Sequence, residues 1–332
     1  MPGPRRRLIG LAVAVTTLLV LLVLSVLVGS TAIAPSVVWD ALFHPAADID
    51  HFAIRDYRLP RTMVGLAVGA ALGVGGALIQ ALTRNPLADP DILGINAGAS
   101  FAVTVAVGVL GIRDIGGYMW FAFAGALLVT LMVLALGSTR QGRSPVVMVL
   151  AGVCVGAVLR GAGSALELTN PDAFDAMRAW NAGSIVGRPL DLVWPLLPFL
   201  VVALILAVVV AGPLDAMALG DDLAAAQGVR LARIRVLAVI ALTLLAGGAT
   251  ALAGPIGFVG LMVPHVARWI AGPHQGWIFA YSVLLAPILL LASDVLGRLV
   301  MHPNEIPVGV ITAFVGAPVL ITLVRRRNVS GL

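Results

Sequence analysis

The chain has 332 residues, 60% of them hydrophobic and only 11% charged, with a mean hydropathy of +1.04. An average soluble domain is roughly 45–50% apolar and about 25% charged, so an ordinary soluble globular protein is excluded and a polytopic membrane protein is left. The formal net charge is +5, carried by Arg alone, with no separate basic tail to track a phosphate backbone, and the single Cys154 excludes an intrachain disulfide or a thiolate metal cluster.

A membrane-crossing helix needs about 20 apolar residues for a hydrocarbon core of roughly 30 Å. Measured by that ruler, the uncharged runs predict ten transmembrane segments, at about 9–29, 62–83, 92–112, 115–139, 144–166, 192–214, 235–253, 257–270, 276–297 and 306–324. The seventh and eighth are one apolar run, divided where Gly254 and Pro255 interrupt it. Arg5, Arg6 and Arg7 precede the first segment and Arg325, Arg326 and Arg327 follow the last, so the positive-inside rule puts both termini in the cytoplasm and requires an even number of crossings. The first apolar stretch is longer than a signal-peptide core and ends in no convincing cleavage site, so it reads as a retained helix.

Gly65, Gly69 and Gly73 recur every fourth residue on one face of the second segment, which predicts a helix buried in the bundle, since small faces let membrane helices approach closely. The small-residue run 68–77 is echoed by 245–254, and each copy leads into a Pro-containing turn. The copies lie in the second and seventh segments and so cross in opposite directions, which predicts an inverted internal repeat of segments two to five and seven to ten. General Gly enrichment of membrane helices would produce a similar echo.

Four stretches carry the functional candidates. Between the second and third segments, Asn85-Pro86 opens a proline-broken turn that reads either as a stiff connector or as a hinge. Within the polar insertion 212–233, Leu219, Gly220, Asp221, Asp222, Ala224, Gln227 and Gly228 describe a helix of about two turns, too short to stand in water without a surface to dock on or pack against. The segment with Gly257, Phe258, Pro264 and His265 breaks its helix inside the apolar zone, which is tolerated only where protein or a water-filled cavity surrounds it. On the opposite side of the membrane, Arg58, Arg61 and Arg298 stand at one level, either to grip carboxylates of a docking protein or to snorkel and pair with Asp56 and Asp294. Arg160 interrupts the fifth segment and is expected near its outer end or facing a pathway. No phosphate loop, HExxH or GxSxG occurs, so no enzyme activity is expected and energy must come from a separate ATPase.

Arg58-Leu-Pro-Arg61, Gln80 with Arg84-Asn-Pro-Leu-Ala-Asp-Pro-Asp-Ile-Leu-Gly94, Leu219-Gly-x5-Ala-Gln-Gly228, the block Gly254 to Arg268 and the block Glu305 to Pro318 together resemble the FecCD family of binding-protein-dependent ABC permeases. The resemblance implies a single permease domain over 1–332, folded like the family's vitamin B12 importer permease, in the cytoplasmic (inner) membrane. It implies import of a ferric siderophore by alternating access, with haem or vitamin B12 as alternatives; an ion-coupled secondary transporter is the rival from outside the family. It further implies a second permease subunit, self or paralogue, two cytoplasmic ATPase subunits holding ATP and Mg, and an extracytoplasmic binding protein. Arg58, Arg61 and Arg298 would receive that binding protein's acidic residues, 212–233 would seat the ATPase, and Gly65, Gly69, Gly73, Gln80, Asn85, Pro86, Gly257, Phe258, Pro264 and His265 would line the path or pack beside it. No cofactor and no metal are expected on this chain. Gln227 stands where the family usually has Leu, which weakens an apolar contact at that point.

Overall fold

The computed structural model describes residues 3–29, 31, 33–44, 46–136, 138–139, 142–143, 145–301 and 304–325; Arg140, Arg326 and Arg327 lie outside them. In chain order the helices are α1 (Pro4–Leu27), α2 (Pro35–Phe43), α3 (Ile49–Phe52), α4 (Leu59–Thr83), α5 (Ile95–Gly108), α6 (Ile115–Leu136) and α7 (Pro145–Thr169). They continue as α8 (Pro171–Trp180), α9 (Val193–Ala218), α10 (Asp221–Ala226), α11 (Leu231–Ala253), α12 (Val259–Ala271), α13 (Gln275–Val300) and α14 (Val308–Arg325). A π-helical turn, Ala53–Arg58, leads α3 into α4, and 3-10 turns Pro90–Leu93 and Leu190–Leu192 precede α5 and α9. Two-residue strands β1 (Ser138–Thr139) and β2 (Gly142–Arg143) pair antiparallel between α6 and α7, with Ser138 opposite Arg143.

Local chemistry sets the boundaries. Proline stands at the start of α1, α2 and α8, where its missing N–H costs no helix bond, and Asn170 caps α8 by accepting from the Ala173 N–H at 3.1 Å. α11 and α12 end on Gly254 (φ 73°) and Gly272 (φ 87°), left-handed backbone that a Cβ would strain.

Among the described residues seven helices are long and apolar enough to cross a membrane: α1, α4 with the turns before it, α6, α7, α9 with its 3-10 turn, α11 and α13. This corrects the expected ten. The third, eighth and tenth segments are the shorter α5, α12 and α14; with 14 residues in α5 and 13 in α12, each rises only about 20 Å at roughly 1.5 Å per residue, short of a hydrocarbon core. Apolar run length misled because parts of each run form turns: Ile92-Leu93-Gly94 belongs to the 3-10 turn and its end, and Gly257-Phe258 to the loop before α12. The expected repeat falls with the count as a pairing of four-helix spanning halves, since one half contains one short member and the other two. An even number of crossings no longer follows either.

Burial sorts the long helices. In α4 and α11, 78% of the most apolar window is buried, against 22% in α1 and α7 and 33% in α9. α4 therefore lies at the centre, packed on α11, α12 and α13. Its glycines explain how: a Cβ on Gly69 would sit 2.7 Å from the Pro287 backbone, one on Gly73 2.6 Å from the Ser282 carbonyl oxygen, and one on Gly65 2.7 Å from a Leu291 methyl. The stripe is a contact face for α13.

Candidate functional site

At the Arg58 end of α4, the last turn of α1 leaves carbonyls without intrahelical donors. Arg58 and Arg298 supply the donors from outside. Arg58 Nη1 donates to the Val26 and Leu27 carbonyls at 3.1 and 2.8 Å and Nη2 to Thr31 O at 2.6 Å; Arg298 Nη1 donates to Ser25 O and Val28 O at 2.7 and 2.6 Å. Cations at a helix C-terminus also complement its dipole. Asp294, one turn before Arg298 on α13 and 0% exposed, accepts from both Arg298 and Arg61; the Arg61 Nη2 bond is 2.7 Å, and Arg61 Nη1 reaches Glu305 at 2.5 Å. The three arginines are thus buried ties between α1, α4 and α13: Arg61 and Arg298 pair with Asp294, one of the acids the sequence offered, and Arg58 and Arg298 donate to backbone carbonyls that no sequence pattern reveals. They still line, with Tyr57, Gly187 and Glu305, a cavity of about 350 Å³.

In the Arg84-proximal half of α4, α12 crosses it where Gly76 and Gly260 meet backbone to backbone. Pro264 has no N–H for the Gly260 carbonyl one turn earlier, and fully buried Gln80 fills that gap: Nε2 donates to Gly260 O at 3.3 Å and to Leu261 O at 3.0 Å, while Oε1 accepts from Arg268 at 3.3 Å. Gln80, Pro264 and His265 are therefore packing residues at the α4–α12 crossing, with the His265 ring edge-on to Trp269. Phe258 (φ 69°) begins α12 in left-handed backbone and packs on Gly316 of α14. Gly257 alone of this group opens onto space: it lines a side-facing, mostly apolar trough of about 660 Å³ with Asn181, Pro255 and the α14 residues Val310, Phe314 and Pro318.

Beside the trough runs a polar ladder that sequence reading missed. Asn96, Ser100 and Thr104 repeat every fourth residue along α5; Asn96 accepts from Thr250 at 2.8 Å, Ser100 donates to Asn181 at 3.1 Å, and Thr104 lies 3.4 Å from Glu167 of α7. The four-residue spacing was legible in the sequence, but the partners on other helices were not. Arg160 stands exposed on α7, a helix whose surface is largely uncovered.

At the Arg84 end, Arg84 caps α4 in left-handed backbone (φ 50°). Asn85 follows, exposed, its Oδ1 accepting the Leu87 N–H at 3.0 Å to close a tight turn around half-buried Pro86. Arg84 donates to Met217 O in the last turn of α9 and, at 2.5 Å, to Asp221 of α10; Arg235 of α11 reaches the other Asp221 oxygen at 2.5 Å. Burial works against the charge, yet Arg235 and Arg84 hold the Asp221 carboxyl below its ordinary range. α10 buries Ala224 and leaves Leu219 and Leu223 67% and 56% exposed, beside exposed Asp222, Gln227 and Gly228.

Residues 17–326 match the model of the FecCD transport family. The chain belongs to that family. It is 45% identical to the ferric enterobactin transport system permease protein FepD of Escherichia coli (strain K12), covering 96% of this chain and 97% of that one. It is 36% identical to the probable siderophore transport system permease protein YfiZ of Bacillus subtilis (strain 168), over 91% of each. A solved structure assigned to the metal-chelate type of ABC transporter, in an inward-facing conformation, superposes with a TM-score of 0.83 at 25% identity, covering 95% of this chain and 98% of that chain. This FecCD-family chain is a permease subunit of an ABC importer, a multi-pass membrane protein that is not itself the ATPase.

Proposed function

We propose that this FecCD-family permease carries a ferric siderophore across the cytoplasmic membrane. The observation that carries the reading is 45% identity, over nearly the whole of both chains, to a permease named for ferric enterobactin. The trough of about 660 Å³ with its neighbouring hydroxyl and amide ladder suits a bulky chelate with a polar rim. A second copy of the chain or a paralogue closes the trough, two ATPase subunits holding ATP and Mg drive alternating access, and an extracytoplasmic binding protein delivers the solute. Arg5, Arg6 and Arg7 directly before α1 favour a cytoplasmic N-terminus.

On this topology the Arg84 end of α4 faces the cytoplasm. The exposed face of the Leu219–Gly228 region, with Leu219 at the end of α9 and Leu223 on α10 both uncovered, is the seat of the ATPase, and the Asn85-Pro86 turn is the hinge beside it. The opposite cavity, with Arg58, Arg61 and Arg298 against Asp294 and Glu305, carries surplus positive charge that favours an acidic lobe of the binding protein.

Uptake of radiolabelled iron by cells deleted for their own permease and complemented with this chain, its ATPase and its binding protein tests the assignment. Transport of a ferric siderophore is expected. Uptake of haem or vitamin B12 in its place would refute it.

A further inference from the structure

We propose that Asp221 is the positioning residue through which movement of α10 is passed to α4 and α11; this rests on the reading of the Leu219–Gly228 region as the ATPase seat. Asp221 is the first residue of α10, and its two oxygens go to different helices, Oδ1 to Arg84 at the end of α4 and Oδ2 to Arg235 in α11, each at 2.5 Å. Those helices are the two most deeply buried of the seven, so the smallest cytoplasmic helix is tied by one carboxylate to the centre of the bundle.

Two backbone features mark the tie as built. Left-handed backbone is strained for a non-Gly residue and ordinarily selects Gly or Asn at a helix end. Arg84 occupies that conformation (φ 50°, ψ 34°), and what Gly could not supply is the guanidinium that spans to Met217 O and Asp221. Gly220 (φ 124°) and Gly228 (φ 84°) flank α10 with no atom within 4 Å of where a Cβ would stand. They are glycines for backbone conformation and not for space, so the helix is joined to its neighbours by conformationally permissive residues. Its position is then set by what it touches: buried Ala224 and the Asp221 clasp. The side chains facing outward, Leu219 and Leu223, are different ones, so docking and transmission are separable by mutation.

The test uses the whole complex reconstituted in vesicles with its binding protein and a ferric siderophore, reading three quantities: ATPase retained on purification, ATP hydrolysed, and chelate imported per ATP. With Asp221→Asn the ATPase is expected to stay bound while chelate per ATP falls several-fold. Asp221→Glu is expected to restore part of the loss, and Arg84→Gln combined with Asp221→Asn to be no worse than the worse single variant, as for residues acting through one contact. Wild-type chelate per ATP in Asp221→Asn, or losses that add, would overturn the proposal, as would release of the ATPase by Asp221→Asn, which would make the carboxylate part of the seat. Leu219→Glu with Leu223→Glu is expected to release the ATPase with the clasp in place; retained ATPase and normal import would overturn the seat and the proposal together. Should Asp221→Asn not assemble, Arg235→Gln reads the same ratio from the other arm.

Discussion

The two ends of α4 are held by the same device in different surroundings. At each end one carboxylate takes two guanidiniums, Asp294 with Arg61 and Arg298, Asp221 with Arg84 and Arg235. Asp294 is 0% exposed, and its partner Arg298 also satisfies the end of α1; the Asp221 side chain is 38% exposed and that of Arg84 39%. A buried pair cannot lose one member without stranding the other charge, whereas an exposed pair is screened and contributes little to stability. The Arg58 end is therefore a fixed anchor, and the Arg84 end a contact that can shift without unfolding the bundle.

That contrast can be broken most forcefully by Asp294→Ala, which leaves buried Arg298 without a carboxylate and Arg61 with Glu305 alone. A loss of about 3–5 kcal/mol is expected, read as a large fall in melting temperature or absence of monodisperse protein in detergent; a change below about 1 kcal/mol would mean that the anchor is no anchor. Next comes the middle of α4. Gly69→Val drives side-chain carbon into the Pro287 backbone and is expected to cost about 1–3 kcal/mol by the same melt. Gln80→Leu strands the carbonyl that Pro264 left without a donor and should cost about 1–3 kcal/mol, with Gln80→Glu no substitute because a carboxylate cannot donate.

The smallest effects belong to the Arg84 end. Asp221→Asn is expected to lower the melting temperature by the equivalent of less than about 1 kcal/mol, and high salt to erase even that difference. Asp89, in the turn beside this end, caps the Pro90–Leu93 turn; burial raises its pKa to about 6 against the pull of the Asp91 N–H that it accepts, and the Asp91 charge raises it further. Because the folded value lies above the ordinary 3.8, protonation stabilises the turn, and stability is lost as pH rises through about 6. Melts between pH 4 and 7 should show this slope and Asp89→Asn, which keeps a capping oxygen, should flatten it; an unchanged slope would assign it to another group.

Much of the site's chemistry was visible as residue types and spacing. The glycine stripe at 65, 69 and 73 and the short helix between Gly220 and Gly228 each obey a local rule, whereas α12 runs unbroken through Pro264 and the interruption falls before it, at 254–258. Arg58, Arg61 and Arg298 were legible as a level of positive charge with Asp294 among its partners, but not as ties to backbone, because the carbonyls that Arg58 and Arg298 complement belong to α1 and its end. Gln80 had the same fate, since its role depends on a carbonyl 180 positions away.

By itself the amino-acid sequence determined that this chain lives in lipid, which runs are apolar, where Gly and Pro stop them, and which family its blocks resemble, because composition and backbone preference act over a few residues. Tertiary structure alone decided how many of those runs are long enough to cross, which arginines are spent on backbone carbonyls, and which acids take two partners. Those outcomes depend on where helices cross, and crossing brings together groups that no local period connects.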